Sequence, residues 1–297
     1  MTCREDNNFK SGFVSLIGRP NVGKSTLLNA ILEEKVAIVS SKPQTTRTLI
    51  RGIYTSEAGQ IIFVDTPGIH KPRYRLGEHM VSKARRSMGD ADVVVLVYDA
   101  AWGWSEEEAE LLTALKRLDR KHLVVANKAD LVREIRPPEG LDETRWFLVS
   151  ARTGEGLEEL VKAIFDLLEP GPMYYPPEMV TDQPEQVVAA ELVREAILHL
   201  THDEVPHSVA VEVEEFRYDE KKDLTVIRAT IYVERASQRK IIIGHRGSMI
   251  KEIGKLARAE IEKMVASKVF LDLWVKVKEK WRDREGTLQS LGLGADQ

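Results

Sequence analysis

The sequence predicts an α/β domain with a mostly parallel sheet, followed by a smaller α+β domain. Three observations carry this. Short aliphatic runs alternate with helical patterns through the first half, a proline-dense stretch interrupts the chain near residue 170, and beyond it the order becomes helix, strand, strand, helix, strand.

Phe13–Ile17, Ile61–Val64, Val93–Tyr98, Leu123–Ala126 and Trp146–Val149 are β-branched or aliphatic runs that read as strands buried on both faces. Helical patterns lie between them at Lys24–Glu33, Leu76–Met88, Ser105–Leu118 and Leu157–Leu168. Such alternation implies right-handed βαβ crossovers. No helix separates Leu49–Tyr54 from the strand at Ile61, so it is expected as an antiparallel edge strand.

Pro170, Pro172, Pro176, Pro177 and Pro184 make residues 169–184 a linker, with Tyr174 and Tyr175 placed to dock on a neighbouring domain. The expected organisation is a polar tail (1–11), a first domain (12–168), the linker, a second domain (185–284) and a C-terminal tail (285–297).

Composition excludes several classes. Of the 297 residues, 43% are hydrophobic and 30% charged, as in ordinary globular proteins. Cys3 is the single cysteine, so an intrachain disulfide framework or a Cys-rich metal site is excluded. The N-terminal stretch lacks the apolar segment of a signal peptide, and no apolar run approaches the ~20 residues of a membrane helix.

Gly18-Arg19-Pro20-Asn21-Val22-Gly23-Lys24-Ser25 matches G-x-x-x-x-G-K-[ST] between a strand and a helix, the setting a P-loop requires. Its backbone N–H groups surround phosphates at a helix N-terminus. Lys24 reaches the β- and γ-phosphates, Ser25 places its hydroxyl on Mg²⁺, and Thr26 follows in the helix. Asp65-Thr66-Pro67-Gly68 closes the next strand. Its carboxylate can hold Mg²⁺ through water, and the Gly68 amide can donate to the γ-phosphate. Asn127-Lys128-Ala129-Asp130 selects the base. Guanine presents two adjacent donors to the Asp130 carboxylate, whereas adenine would place an acceptor there, at a cost of ~1–3 kcal/mol. Asn127 ties this loop to the P-loop, the Lys128 stem covers the purine, and Ser150-Ala151-Arg152 brings a backbone N–H toward guanine O6.

These elements fall in chain order at strand C-terminal ends, where open α/β sheets bind ligands. Over residues 11–168 they resemble the GTPase superfamily of translation factors and Ras-like switches. The resemblance implies that Pro43-Gln44-Thr45-Thr46-Arg47 is the first switch, with Thr46 as the Mg²⁺ and γ-phosphate contact. Ile69 stands where Ras-like enzymes carry a water-orienting glutamine, so intrinsic hydrolysis should be slow. Asn21 as a K⁺ ligand beside the phosphates is one replacement; a purely loop-shaping role is the other. Arg47 and the basic His70–Arg75 stretch are further contributors that the residues alone do not select.

In the second domain an aliphatic run ending at Ile243 precedes Gly244-His245-Arg246-Gly247, and a helix containing Lys251 follows. This is the KH pattern, whose glycines admit single-stranded RNA backbone. Charge provides an independent indication. Residues 185–234 carry 5 basic and 12 acidic residues, whereas residues 235–284 carry 14 basic and 6 acidic. The element order is that of type II KH domains. A Ras-like domain joined to it, with Leu273-Trp274-Val275-Lys276-Val277-Lys278 near the end, resembles the Era family of bacterial ribosome-assembly GTPases.

That resemblance implies GTP and GDP as ligands, Mg²⁺ and K⁺ as cations, and the 16S rRNA 3′ end and 30S subunit as partners. It also implies a cytoplasmic monomer in loose contact with the inner membrane surface and no DNA partner. Two rival readings remain, a P-loop ATPase and a GTPase whose second domain binds protein.

Asp130→Asn is expected to shift preference from guanine to xanthine, because the amide sets a donor against a guanine donor. Competition between GTP and XTP measures this, and a variant still preferring GTP would refute the assigned base site.

Overall fold

The structure, a computed structural model, describes residues 9–294; Cys3 and the polar segment around it lie outside them. The chain divides into two compact units. One comprises residues up to Ala37, Thr46–Lys71 and Met80–Asp182; the other comprises Ile38–Thr45, Pro72–His79 and residues from Gln183 onward.

The first unit contains strands β1 (Lys10–Ile17), β2 (Ile50–Ser56), β3 (Gly59–Asp65), β4 (Val93–Asp99), β5 (Lys121–Asn127) and β6 (Trp146–Leu148). Their order in the sheet is β2-β3-β1-β4-β5-β6, and β2 is the antiparallel edge expected from the missing helix. All other pairings are parallel, with Leu16 opposite Asp65 and Ile17 opposite Leu96.

Helices α1 (Lys24–Leu32), α3 (Glu106–Arg117) and α4 (Leu157–Leu167) belong to this unit. Helix α2 (Arg75–Asp90) begins in a segment that groups with the second unit. Every residue of β4 is buried, since its alternate side chains enter two different apolar clusters: Val93, Val95 and Val97 in one, Val94, Leu96 and Tyr98 in the other. Ser105 starts α3 by a capping box with Glu108, which satisfies N–H groups the first turn cannot pair internally.

The proline-rich stretch is pinned to the first unit. The buried Gln60 carboxamide accepts from the backbone of Tyr174 at 2.9 Å and Tyr175 at 3.0 Å, and donates to the Tyr175 carbonyl at 2.9 Å. Ile53 N–H reaches the Val180 carbonyl at 2.8 Å. Prolines remove donors, and one internal side chain supplies much of the replacement pairing.

In the second unit, β7 (Ala210–Asp219) and β8 (Leu224–Val233) form the antiparallel hairpin, and β9 (Lys268–Val277) pairs parallel to β8. Helices α5 (Glu185–Leu200) and α8 (Ser248–Val265) pack on one face around Ile227, Ile231, Ile253 and Ile261. Short helices α6 (Val205–Ser208) and α9 (Glu285–Ser290) complete it.

One correction concerns helix α7 (Ala236–Ile243), which the sequence reading leaves as an aliphatic run. Its first turn is capped by Gln238, whose side-chain oxygen accepts from Glu234 N–H at 2.9 Å and Arg235 N–H at 3.0 Å. Three consecutive isoleucines hide the helical period, because only Ile242 is buried.

Trp281 is fully buried, and its indole N–H donates to the Ser208 carbonyl at 2.8 Å. Trp281→Ala should destabilise the second unit by about 3–5 kcal/mol. Urea unfolding followed by far-UV dichroism measures this, and an unshifted midpoint would mean that residues 278–290 lie outside its cooperative core.

Candidate functional site

The loop from Gly18 to Gly23 leaves the central strand β1 and caps α1 without any side-chain bond to the helix. Gly23 has φ 97°, and a Cβ there would stand 2.3 Å from Asn127 Nδ2. Glycine is therefore required both by the backbone conformation and by the closeness of the neighbouring loop. Asn127 uses that closeness: Nδ2 donates to the Val22 carbonyl at 2.9 Å, while Oδ1 accepts from Lys128 N–H at 2.8 Å and Ala151 N–H at 3.1 Å. One side chain thus links the three loops that sequence reading assigned to phosphate and base. The Ala151 amide is committed to Asn127 in this arrangement.

Lys24 is buried, and its ammonium donates to the carbonyls of Gly18 at 3.1 Å and Arg19 at 2.9 Å. Burial pushes its pKa down to about 8, a shift partly offset by the negative charge of Asp65. An anionic phosphate entering the loop would favour the charged lysine.

Ser25, Thr46 and Asp65 converge from three distant segments. Asp65 Oδ2 accepts from Ser25 Oγ at 2.6 Å and Thr46 Oγ1 at 3.3 Å, and the two hydroxyls lie 2.9 Å apart. Asp65 Oδ1 is buried without a hydrogen-bond partner. Burial raises the Asp65 pKa, against the opposing influence of Lys24, Ser25, Thr46 and Thr66. A cluster of hard oxygen donors with one unsatisfied carboxylate oxygen fits a divalent cation such as Mg²⁺.

Thr66 is turned away from this cluster, its hydroxyl donating to the Leu16 carbonyl at 2.7 Å. Pro67 and Gly68 are buried at the same strand end. Ile69 packs against the apolar cluster around Leu96 and Tyr98, and its N–H donates to the Gly18 carbonyl at 3.2 Å. Its half-buried side chain packs against that cluster and offers no group to orient water.

At the base end, Asp130 is oriented by Ser150, whose hydroxyl donates to Oδ1 at 2.7 Å, and by Arg152, 3.7 Å from Oδ2. The Lys128 ammonium donates to the Asn21 carbonyl at 2.9 Å and to Asp99 Oδ2 at 2.6 Å. Asn21 and Lys128 both adopt left-handed backbone conformations. Sequence reasoning missed Asp99, although a carboxylate ending an otherwise apolar strand was its signal. It also missed Glu108, fully buried and paired with Arg19 of the P-loop.

The second unit carries a separate groove of about 530 Å³ lined by Ile250, Lys251, Glu252, Gly254, Lys255, Arg258, Leu271 and Leu273. The loop Gly244–Gly247 leads into α8, which forms one wall, while β9 forms the other. Gly244 has φ 74°, and a Cβ there would meet Met249 N at 2.7 Å. His245 and Arg246 are exposed, Ile243 is half-buried, and Lys251 stands exposed one turn into α8. The α8 wall carries Lys251, Lys255 and Arg258 beside Glu252, and the β9 wall carries Leu271 and Leu273; a cationic wall next to an apolar one can hold a phosphate backbone and accommodate bases.

Comparison with known proteins matches a GTPase family in the first part of the chain and a KH family in the second. The family described as 50S ribosome-binding GTPase matches residues 13–128, and the KH domain family matches residues 204–282. GTPase Era of Carboxydothermus hydrogenoformans is 49% identical over 292 residues, 96% of this chain and 98% of that protein. GTPase Era of Thermotoga maritima is 48% identical over 298 residues, covering 97% and 99%.

Among solved structures, an Aquifex aeolicus Era variant bound to GDP·AlF4⁻ superposes with a TM-score of 0.90 at 39% identity, covering 96% of this chain and all of that one. Era in complex with MgGDPNP and nucleotides 1506–1542 of 16S ribosomal RNA gives 0.89 at 40% identity, covering 96% and 99%. The GTPase and KH modules thus occur together along almost the whole length of these relatives, and the chain belongs to the Era family of GTPases.

Proposed function

We propose that this GTPase acts in assembly of the small ribosomal subunit by binding the single-stranded 3′ end of 16S rRNA in the groove headed by Gly244–Gly247. The observation that carries this reading is the coincidence of the glycine loop with a groove whose α8 wall is cationic and whose β9 wall is apolar. The relative solved with nucleotides 1506–1542 supports it. Backbone phosphates would lie against the loop, with His245, Arg246 and Lys251 supplying charge and hydrogen bonds. Such contact would take place at a cytoplasmic surface. Among the described residues no helix is long and apolar enough to cross a membrane, so the inner-membrane contact implied by the family would be peripheral.

At the nucleotide site, Ser25 and Thr46 would hold Mg²⁺ directly and Asp65 through water. When bound there, Mg²⁺ would supply positive charge against the phosphoryl oxygens. Lys24 draws off negative charge from the β- and γ-phosphates, and the Gly68 N–H would donate to the γ-phosphate. Asp130, held by Ser150 and Arg152, accepts from the guanine edge. Ile69 offers no polar group to orient water, and K⁺ held by Asn21 beside the phosphates would be a replacement. Hydrolysis should be faster in K⁺ than in Na⁺; equal turnover in the two salts would remove Asn21 from the mechanism.

Loss of the γ-phosphate frees the Thr46 and Gly68 loops, and this order–disorder step is the proposed link to RNA. Coupling of ~1–3 kcal/mol would give a roughly 5–150-fold difference in RNA affinity between GTP-analogue and GDP states, and by reciprocity the same change in nucleotide affinity. The experiment titrates a 16S 3′-end oligonucleotide into both states, with a His245→Asp, Arg246→Asp variant as control. This pair is preferable to the glycines, because a side chain at Gly244 would collide with the Met249 amide. RNA affinity should fall steeply with salt and be lost in the variant, while nucleotide affinity holds. Salt-insensitive binding would favour a protein partner, and equal affinity in both states would leave two uncoupled domains.

A further inference from the structure

Strand β4 ends at Asp99 and strand β5 at Asn127, and these two residues stand opposite one another in the sheet. Lys128 therefore leaves β5 beside the Asp99 carboxylate. Asn21, Asp99 and Lys128 all belong to the first unit.

Asp99 is only 6% exposed, where a carboxylate is costly unless it is paired. Its backbone is fixed on both sides. Ala100 N–H donates to the Asn127 carbonyl at 2.8 Å, and the N–H groups of Trp102 and Gly103 donate to the Asp99 carbonyl at 3.2 and 3.0 Å. On the side chain, Oδ1 accepts from Ala101 N–H at 2.9 Å, which leaves Oδ2 to the Lys128 ammonium at 2.6 Å. The same ammonium donates to the Asn21 carbonyl of the P-loop at 2.9 Å.

Lys128 is thus held at both ends. Its own N–H donates to Asn127 Oδ1 at 2.8 Å, and its φ is 70°. A free lysine stem has large rotamer freedom, most of which is lost once the ammonium is gripped. The Asn21 carbonyl is a neutral acceptor, whereas the Asp99 carboxylate makes a charge-assisted bond, the stronger class. We propose that Asp99 is a positioning residue for guanine-nucleotide binding: by clamping the Lys128 ammonium beside Asn21 it holds the lysine stem across the base site and slows nucleotide release. The proposal rests on the reading of Asn127–Asp130 as the guanine site. Asp99 touches no part of the nucleotide in this assignment. It acts through Lys128 on how long the purine is retained, while base choice belongs to Asp130.

The full-length chain is tested as Asp99→Asn, which keeps the shape and the acceptor for Ala101 N–H but removes the charge. Lys128→Met keeps a long apolar stem without the ammonium, and the double variant closes the cycle. Association and dissociation rates are measured for GDP carrying a fluorescent ribose label, and unlabelled GDP and XDP then compete for the site.

Asp99→Asn should release GDP about tenfold faster, as expected for a lost hydrogen bond between charged groups. Its association rate and its preference for GDP over XDP should stay within about twofold of wild type. Lys128→Met should show a loss of similar size. Adding Asp99→Asn to it should change release by less than about twofold, because the residue through which Asp99 acts is already gone. Losses that multiply in the double variant would mean that Asp99 shapes the site independently of Lys128, and the proposal falls. It falls equally if Lys128→Met speeds release and Asp99→Asn does not. A Lys128→Met variant with wild-type release would instead overturn the reading of Lys128 over the purine. A lowered GDP-to-XDP preference in Asp99→Asn would signify a collapsed base loop and also count against the positioning role. Should Asp99→Asn not fold, the double variant, in which neither charge remains, is compared with Lys128→Met and decides alone.

Discussion

The carboxylate of Asp65 is the constraint on which the nucleotide site depends. It is fully buried at the end of β3, opposite Leu16 of the central strand, in a place where an unsatisfied charge is costly. The surrounding structure makes that burial tolerable. Lys24 supplies nearby positive charge, Ser25 and Thr46 supply hydroxyl donors, and one oxygen remains open to a cation. Lys24 and Ser25 open α1 and Thr46 precedes β2, so this cluster brings together the start of α1, the end of β3 and the chain before β2.

A second set of bonds gives the site its shape. Asn127 ties the P-loop to the base loop and to Ala151, and Lys128 bridges Asn21 to Asp99. These bonds run between strand ends rather than along the strands. The parallel sheet supplies a rigid edge, and the loops derive their precision from one another. Arg19 and Glu108 extend the same network to the start of α3, where Ser105 and Glu108 also satisfy the helix terminus.

The second unit follows a different electrostatic logic. Its acidic half supplies α5 and the hairpin, its basic half the groove wall and β9. Arg194 and Glu195 hold residues of the segment 38–45, while Asp283 accepts from the Arg75 amide at 3.3 Å and Glu285 pairs with His79 at 3.0 Å. Two stretches distant in sequence are therefore structural parts of this unit, although their neighbours in the chain belong to the nucleotide-binding unit.

How much of this was legible beforehand follows from the range of the forces involved. Both-face-buried strands such as Val93–Asp99 are written in continuous apolar runs, and the glycine, lysine and aspartate positions of the nucleotide loops stand at motif spacing at the ends of such runs. The antiparallel β2 was deducible from a missing helix. Helix α7 was not, because three adjacent isoleucines carry no period and its capping partner Gln238 is an ordinary polar residue in the sequence. Nor could the sequence reveal that Gln60 pins the proline-rich stretch, that Asp99 holds Lys128, or that Arg194 reaches Thr45, 149 residues away. The sequence by itself determined which chemistry each loop could perform, since that depends on residue type and near neighbours. Tertiary structure alone decided which buried charge meets which distant backbone group, because burial and pairing exist only once remote segments have packed.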